Sequence, residues 1–508
     1  MVANFTEVLR RQANRRGDAE ALIDGSQRWT YAALDAEVDR YAAALLAGGV
    51  TPSDLVGVLG RNHARYLIEL LAIARIGAVS VPLNWRLHAT EQSWILSQAG
   101  IGVLLFDDDF ADDAAVLHAE AGLRISIANG KRALGGGARI DDLLAELPDR
   151  VRVPDATKSP EDLHRLLYTS GTTSRPKGVM HSYGNIAANH LGQMLELELT
   201  PADRILISAP LFHVSGLEAP GLATLVAGGT IVLCETFKPD EIAEVVSREQ
   251  ITGLVLAAQI LFGIMELDRM DDLASIRYLL FAGVAPAVRR RVKELLPRVR
   301  LVDTYGMTEL TNGCCYMDAA HEQEKVGSLG VPLPLMQLRI VDGDFNEVEP
   351  GVQGEIIVRG AKVSPGYWRD EATTAASRRD GWFLTGDVGY LDDDGYLWFV
   401  DRRTDLIKSG GENVATAEVE RVLAALDGVA EVAVIGVPDP RWDEVPKAFV
   451  TLAAEADLDA QAIRQHCLAN LAKFKVPRDI EIVDSLPRND SGKVLKRVLR
   501  ENEAEKAR

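Results

Sequence analysis

The sequence predicts an α/β protein that ends in a small α+β domain. In the first half, strand and helix signals alternate: helical spacing runs from Leu34 to Leu45, and short apolar strands follow at 55–59 and 79–82. Repeating strand–helix units form parallel sheets covered by helices. From about Glu347 the pattern changes to short strands separated by turns, and the last hundred or so residues alternate helix and strand.

The length of 508 residues requires more than one hydrophobic core, because single cores stop growing near ~250–300 residues. We predict a large domain over residues 1–400, a hinge over 401–405 and a small domain over 406–508. The hinge is placed in the charged stretch Asp401–Asp405, which separates the turn-rich region from the C-terminal tail.

The composition excludes some classes of function. A formal net charge of −19 argues against a nucleic-acid partner, since phosphate backbones require clustered Lys and Arg. The four cysteines contain no C-x-x-C pattern, the N-terminus lacks a signal-peptide pattern, and no apolar run reaches the ~18 residues of a membrane span. We therefore expect a cytoplasmic protein without a membrane span.

The most informative motif is LYTSGTTSRPKG at residues 167–178. Glycines allow backbone N–H groups to approach an anion, and hydroxyls with one lysine complete a phosphate-binding loop. The loop is not a Walker A motif, because its lysine precedes the second glycine. The candidate phosphate ligands are Thr169, Ser170, Gly171, Thr172, Thr173 and Lys177.

Three later motifs carry further chemistry. YGMTE at 305–309 places a hydroxyl beside a carboxylate, which suits a nucleotide phosphate and its Mg²⁺. TGD at 385–387 offers a carboxylate that can accept two hydrogen bonds from vicinal hydroxyls. NDSGK at 489–493 places a lysine at a loop tip. Each motif alone also fits an ordinary role: a helix cap, a turn or a solvated lysine.

Together and in this order, the motifs resemble those of the adenylate-forming superfamily, over residues 29–493. The resemblance implies an AMP-forming acyl-CoA synthetase, whose large N-terminal domain has parallel sheets and a distorted β-barrel subdomain, followed by a small mobile C-terminal domain. Ser174-Arg175, together with IKSGGEN at 407–413, resembles the carnitine-CoA ligase-like branch, which is related to medium- to long-chain and aryl acid-CoA ligases.

The resemblance implies ATP, Mg²⁺ and coenzyme A as cofactors. It gives catalytic roles to Lys493, Thr308, Glu309 and His213, with Glu309 and Thr173 at the metal. Besides the phosphate loop, the implied cofactor-binding residues are Gly283, Ala285, Asp303, Thr304, Tyr305, Gly306, Asp387, Arg402, Lys408, Gly410 and Gly411. The implied acid pocket comprises Tyr183, Val214, Ser215, Gly216, Phe281, Ala282, Met307, Asn312 and Gly313.

In the implied reaction, a carboxylate attacks the α-phosphate of ATP, and a thiol then displaces AMP from the acyl-adenylate. Positive groups must bring the two anions together in the first step. The small domain is expected to rotate about the hinge between the steps, where Thr404 replaces the more usual Asp or Lys.

The acid remains open among fatty, aryl and carnitine-like acids. None of the pocket residues is Arg or Lys, which disfavours a second carboxylate. Two other functions share the motifs: a stand-alone adenylation enzyme that loads a carrier protein, and a non-catalytic nucleotide-binding relative. A monomer and a homodimer are both compatible with the sequence.

Overall fold

The computed structural model describes residues 4–169, 176–256, 258–281, 286–403, 405–409, 412–439, 441–453, 456–488 and 494–506. Contacts divide the chain into two compact units. The first comprises residues 1–337 and 359–381, and the second comprises residues 338–358 and 382–508.

The helices and strands alternate through most of the chain. The helices are α1 Phe5–Arg16, α2 Tyr31–Ala47, α3 Ala64–Ile76, α4 Ala89–Ala99, α5 Ala111–Ala121, α6 Ile140–Ala145, α7 Tyr183–Glu196, α8 Val214–Glu218, α9 Gly221–Ala227, α10 Pro239–Glu249, α11 Ala258–Glu266, α12 Pro286–Leu295, α13 Glu371–Ala376, α14 Thr416–Ala424, α15 Ala460–Asn470 and α16 Lys496–Lys506. The strands are β1 Glu20–Asp24, β2 Gln27–Thr30, β3 Leu55–Leu59, β4 Val79–Pro82, β5 Val103–Phe106, β6 Ile125–Ala128, β7 Ala138–Arg139, β8 Leu163–Thr169, β9 Lys177–Ser182, β10 Arg204–Ile207, β11 Thr230–Leu233, β12 Gly253–Val255, β13 Tyr278–Phe281, β14 Arg300–Met307, β15 Asn312–Tyr316, β16 Val331–Pro332, β17 Met336–Val341, β18 Gly354–Gly360, β19 Arg378–Arg379, β20 Trp382–Leu391, β21 Leu397–Arg402, β22 Ile407–Ser409, β23 Glu412–Val414, β24 Val429–Asp439, β25 Asp443–Leu452 and β26 Asp479–Ile482.

Two largely parallel sheets form the first unit. One has the strand order β16-β15-β14-β13-β12-β10-β11-β1-β2, and the other has the order β7-β6-β5-β3-β4-β8-β9. Strands such as β5 and β13 are buried at every residue, as expected for strands with both faces covered. The predicted α/β class with parallel sheets is confirmed.

Each of these two sheets contains an antiparallel hairpin that carries predicted site residues. In the first sheet β14 pairs with β15, and in the second β8 pairs with β9. A one-turn 3₁₀ helix, Thr308–Leu310, connects β14 to β15. The hairpins therefore carry the described ends of the first motif, Thr169 and Lys177, and the first three residues of YGMTE on paired strands.

The second unit is built from antiparallel strands and the C-terminal α+β segment. β17, β18, β20 and β21 follow each other in one sheet, while β22 to β26 form another with α14, α15 and α16. The core of that segment contains Val419, Leu423, Val434, Ala448 and Ile463. No helix in the described ranges is long and apolar enough to cross a membrane.

Candidate active site

The phosphate-loop motif begins and ends on paired strands. Thr169, the last residue of β8, lies opposite Lys177, the first residue of β9. Residues 170–175 between them, with the predicted ligands Ser170, Gly171, Thr172 and Thr173, lie outside the described residues. The hairpin therefore holds a hydroxyl and an ammonium side by side at the two ends of the loop.

Lys177 is connected to Glu309 through Tyr367. The Nζ atom of Lys177 lies 5.5 Å from the centre of the Tyr367 ring, a cation–π distance. The Tyr367 hydroxyl donates a hydrogen bond of 2.9 Å to Oε1 of Glu309. Burial raises the pKa of the Tyr367 phenol, and the nearby Glu309 acts in the same direction. Tyr367 therefore stays a donor to the carboxylate.

Residues 308–313, the pocket turn, join the nucleotide motif to the predicted acid pocket. Thr308 and Glu309 are both 8% exposed. The backbone N–H of Ser364 donates to the Glu309 carbonyl at 2.8 Å. Nε2 of His181 lies 2.7 Å from the Thr308 carbonyl oxygen. The backbone of both residues is thus held from outside the turn.

His181 is neutral in this arrangement. Burial lowers the pKa of its imidazole to about 4, and the nearby Arg165 acts in the same direction. A neutral ring that contacts a carbonyl through Nε2 carries its proton on that nitrogen. His181 therefore donates to the Thr308 carbonyl.

Strand β14 carries four of the predicted cofactor-binding residues. Asp303 forms a buried ion pair with Arg289, and burial raises the pKa of Asp303 to about 6 although Arg289 opposes the shift. The Thr304 hydroxyl donates to the carbonyl of Cys315 at 2.9 Å. Tyr305 is 5% exposed, whereas the next residue, Gly306, is exposed. A Cβ atom on Gly306 would lie 2.2 Å from the carbonyl oxygen of Asn312, so only glycine allows this close approach.

His213 caps helix α8, which carries the predicted pocket residues Val214, Ser215 and Gly216. Its Nδ1 atom accepts a hydrogen bond of 3.2 Å from the backbone N–H of Ser215, so the imidazole caps the helix. Val214 and Gly216 are buried, and a Cβ on Gly216 would lie 2.2 Å from the carbonyl oxygen of Pro210. Gly216 is required by this packing, whether or not it also lines a pocket.

The remaining predicted pocket residues lie in different surroundings. Tyr183 is buried, with its ring 4.7 Å from that of His164 and its hydroxyl 3.5 Å from the carbonyl oxygen of Ala74. Phe281 is buried at the end of β13, and Met307 is half-buried at the end of β14. The predicted residues Ala282, Gly283 and Ala285 lie outside the described residues.

The TGD motif at 385–387 lies in the second unit. Asp387 on β20 and Arg402 on β21 are direct partners in the strand register, with Nε of Arg402 3.6 Å from Oδ1 of Asp387. The Asp387 N–H donates to the hydroxyl of Thr385 at 3.1 Å. Lys408 is exposed on β22. Thr404, Gly410, Gly411 and Lys493 lie outside the described residues.

Known proteins match this chain over almost its full length. A family model described as AMP-binding enzyme matches residues 9–368, and one described as AMP-binding enzyme C-terminal domain matches residues 418–493. The chain belongs to the AMP-binding enzyme family. Within the adenylate-forming superfamily it is an acyl-CoA ligase that uses ATP, Mg²⁺ and CoA, as the motifs predicted.

Three relatives illustrate the range of acids for which similar proteins are named. A feruloyl-CoA synthase of Amycolatopsis is 40% identical, over 96% of each chain. An indoleacetate–CoA ligase of Aromatoleum aromaticum is 38% identical, over 99% of this ligase and 98% of the relative. The solved o-succinylbenzoate CoA synthetase of Bacillus subtilis, in complex with its acyl-adenylate, is 33% identical, covers 97% of each chain and superimposes with a TM-score of 0.86.

The side chains of the ligase suit a metal that is bound together with its nucleotide. Within the described residues, no three His, Cys, Asp or Glu side chains are grouped as a metal site. Glu309 instead offers a single carboxylate, which contacts the same tyrosine, Tyr367, as the Lys177 ammonium. Mg²⁺ is commonly held by one or two carboxylates plus substrate phosphates and water, so this donor set fits MgATP.

Several residues around the site were missed in the sequence. Tyr367, His181 and Lys362 contact the pocket turn from distant parts of the chain. Arg165 and Glu218 form a buried ion pair at 2.7 Å. Burial would raise the pKa of Glu218, but Arg165 and His190 hold that pKa well below its usual range. Among these residues, only Tyr367 had a local pattern in the sequence that could have indicated a place at the site: Tyr367 and Trp368 form an aromatic pair directly after Gly366, a turn residue.

Proposed function

We propose that the ligase activates an aryl acid, of the cinnamate or aryl-acetate type, and transfers it to CoA in the cytoplasm. The observation that carries the proposal is the pocket turn, in which the carboxylate of Glu309 and the predicted pocket residues Asn312 and Gly313 lie within five residues. Such a turn brings the nucleotide end and the acid end of one reaction together.

Two further observations support an aryl acid. The feruloyl-CoA and indoleacetate–CoA relatives are named for planar aromatic acids. In this chain, Gly306 is exposed and Gly313 lies in the same hairpin. The Cβ positions of both glycines are filled by atoms of the hairpin itself, so the exposed backbone at Gly306, rather than a missing side chain, is the surface open to a planar ring.

The proposed roles follow from the chemistry of the side chains. Thr169, Thr308 and Lys177 hold the phosphates with the loop at 170–175, and Glu309 holds Mg²⁺. Asp387 and Arg402 hold the ribose, and Tyr305 lies against the adenine. Lys493 bridges the acid and the α-phosphate in the first step. Lys408, Gly410 and Gly411 line the path of the CoA thiol in the second.

Each proposed step is a displacement. The acid oxygen forms a bond to the α-phosphorus, and the bond to the bridging oxygen breaks, which releases pyrophosphate. The CoA thiol then loses its proton to solvent and its sulfur bonds to the acyl carbon; the bond between that carbon and the oxygen it shares with phosphorus breaks, and AMP leaves with that oxygen. Positive groups at the transferring phosphoryl group lower the repulsion between the two anions in the first step. The cytoplasmic location is supported by the four cysteines, all of which are free thiols.

The test is a pyrophosphate-release assay with MgATP, CoA and a panel of acids, in which acyl-CoA is identified by mass spectrometry. The panel contains ferulate, cinnamate, benzoate, indole-3-acetate, 2-succinylbenzoate, octanoate, palmitate and carnitine. We expect kcat/KM to be highest for an aryl acid. A higher value for octanoate, palmitate or carnitine would contradict the aryl proposal, and release of pyrophosphate without a thioester would contradict CoA as the acceptor.

A further inference from the structure

Lys362 is a fully buried lysine beside the predicted acid pocket. It is 1% exposed, and its Nζ donates to the carbonyl of Gly313. Burial lowers the pKa of Lys362 to about 8, while Cys314 and Glu218 act against the shift. Removing a lysine from water is costly, so a chain that buries one at this position gains something from its charge or its donors.

The backbone of the pocket turn is strained where Lys362 contacts it. Thr311 and Asn312 have φ angles of 50° and 86°, in the left-handed region that non-glycine residues seldom adopt. Two such residues in succession persist only when surrounding contacts hold them. Lys362 contacts the first residue of this pair and the residue that follows it. The hydroxyl of Thr311 donates to the Lys362 carbonyl at 2.8 Å, and Nζ of Lys362 donates to the carbonyl of Gly313.

Residues 361–367, the strap, carry Lys362 along the turn. The side chain of Asn185 donates to the carbonyls of Ala361 at 2.8 Å and Val363 at 3.0 Å, which fixes the strap on both sides of Lys362. At its other end the strap contacts Glu309, through the N–H of Ser364 and the hydroxyl of Tyr367. The strap therefore has one end on the acid side of the turn and the other on the nucleotide side.

We propose that Lys362 is a positioning residue that holds Thr311, Asn312 and Gly313 in the conformation that shapes the acid pocket. It acts through the backbone of the turn and does not touch the reacting atoms. The proposal rests on the proposed function for its link to acid binding, but the conformational part stands independently. Loss of Lys362 should therefore loosen residues 311–316 and weaken binding of the acid, with little effect on MgATP.

The first measurement is hydrogen–deuterium exchange of Lys362→Met, which keeps the length of the side chain and removes its donors. We expect the amides of residues 311–316 to exchange about tenfold faster than in the wild type, because a hydrogen bond to a charged group is lost. Lys447→Met is the matched control, since Lys447 is also buried but lies in the second unit. Unchanged exchange at 311–316, or equal acceleration in both variants, would overturn the proposal.

The second measurement separates the KM for ferulate from the KM for MgATP. We expect Lys362→Met to raise the KM for ferulate about tenfold and to change the KM for MgATP less than twofold. An equal rise in both would overturn the proposal. If the wild type does not use ferulate or any acid of the panel, the proposed function fails, and the exchange measurement still decides the role of Lys362.

A second pair of variants covers the case in which Lys362→Met does not fold. Thr311→Val removes the hydroxyl that bonds the Lys362 carbonyl, and Thr311→Ser keeps it. We expect the valine variant to show faster exchange at 312–316 and the serine variant to match the wild type. Equal behaviour of the two would overturn the proposal.

Discussion

The pocket turn and the segment Asp401–Asp405 both carry residues assigned to the reaction, but they are held in different ways. Glu309 in the turn is contacted by the strap through its backbone and its side chain. The predicted hinge is held at its ends. Oδ2 of Asp401 accepts hydrogen bonds from the N–H and hydroxyl of Thr416 at 2.6 and 2.7 Å, and Asp405 pairs with Arg500 at 2.6 Å.

The arginine side chains of that segment are exposed, while the backbone of Arg402 and Arg403 stays paired with strand β20. The side chain of Arg402 is 38% exposed and lies 3.6 Å from Asp387, and that of Arg403 is 69% exposed. Exposed ion pairs contribute about 0–1 kcal/mol. The difference teaches that the carboxylate of Glu309 is fixed by buried contacts, whereas the charged side chains of a segment proposed to rotate are held by exposed ion pairs that can re-form.

The largest effect on activity is expected from a change in the pocket turn. Glu309→Gln should lower ATP–pyrophosphate exchange by about 10²–10³-fold, because the amide no longer neutralises Mg²⁺ while its shape still fits beside Tyr367. Exchange measured against Mg²⁺ concentration checks this, and Glu371→Gln, an exposed residue of α13, is the control. A loss of less than tenfold would place the metal elsewhere.

A change in the predicted hinge should separate the two half-reactions. Thr404→Pro removes backbone freedom, so it should lower thioester formation about thirtyfold and leave adenylate formation nearly unchanged. Single-turnover assays of each half-reaction check this, with Thr404→Ala as the control that keeps the backbone free. Equal loss in both steps would show that the segment does not act as a hinge.

A smaller effect, on the Mg²⁺ requirement, is expected when the contact between the strap and Glu309 is removed. Tyr367→Phe removes the hydroxyl that bonds Oε1 of Glu309, so the Mg²⁺ concentration for half-maximal exchange should change about tenfold. Tyr390→Phe, in the second unit, is the matched control. An unchanged Mg²⁺ requirement would limit Tyr367 to packing against Lys177.

The alternation of strand and helix signals was enough to predict the parallel sheets, and the order of the motifs was enough to predict the enzyme family. Apolar runs such as 55–59 and 79–82 became strands with those bounds, because strands buried on both faces leave a strong local signal. The start of α3 was less well predicted. Asn62 is of the residue type favoured at a helix N-cap, but His63 caps the helix, while Asn62 bonds Ala209 and Leu211.

The contacts that support the site could not be predicted in the same way. Lys362 lies 49 residues from Gly313, and Arg165 lies 53 residues from Glu218, so no local spacing relates the partners. A buried lysine and a solvated one look alike in a sequence, and only the fold decides which one it is. The roles of Lys493 and the loop at 170–175 stay predictions, since these residues lie outside the described ranges.

The smallest expected effect is on the pH dependence of the free energy of unfolding. It comes from His181, which contacts the pocket turn at Thr308. The pKa of His181 is lowered to about 4 by burial, and its Nδ1 has no hydrogen-bond partner within the described residues. Below the ordinary pKa of about 6.5, the unfolded chain binds a proton that folded His181 does not, so the free energy of unfolding falls as the pH falls. Between pH 7.5 and 5.5 this group should remove about 1 kcal/mol.

His181→Gln should abolish that part of the acid sensitivity, because the amide can still donate to the Thr308 carbonyl but does not titrate. Urea unfolding of both proteins at pH 7.5 and 5.5 checks this. His466→Gln is the matched control, since Nε2 of the half-buried His466 also contacts a carbonyl, that of Val422 at 3.0 Å. If the His181 variant lost as much stability as the wild type between the two pH values, the neutral, buried histidine would not be what holds Thr308.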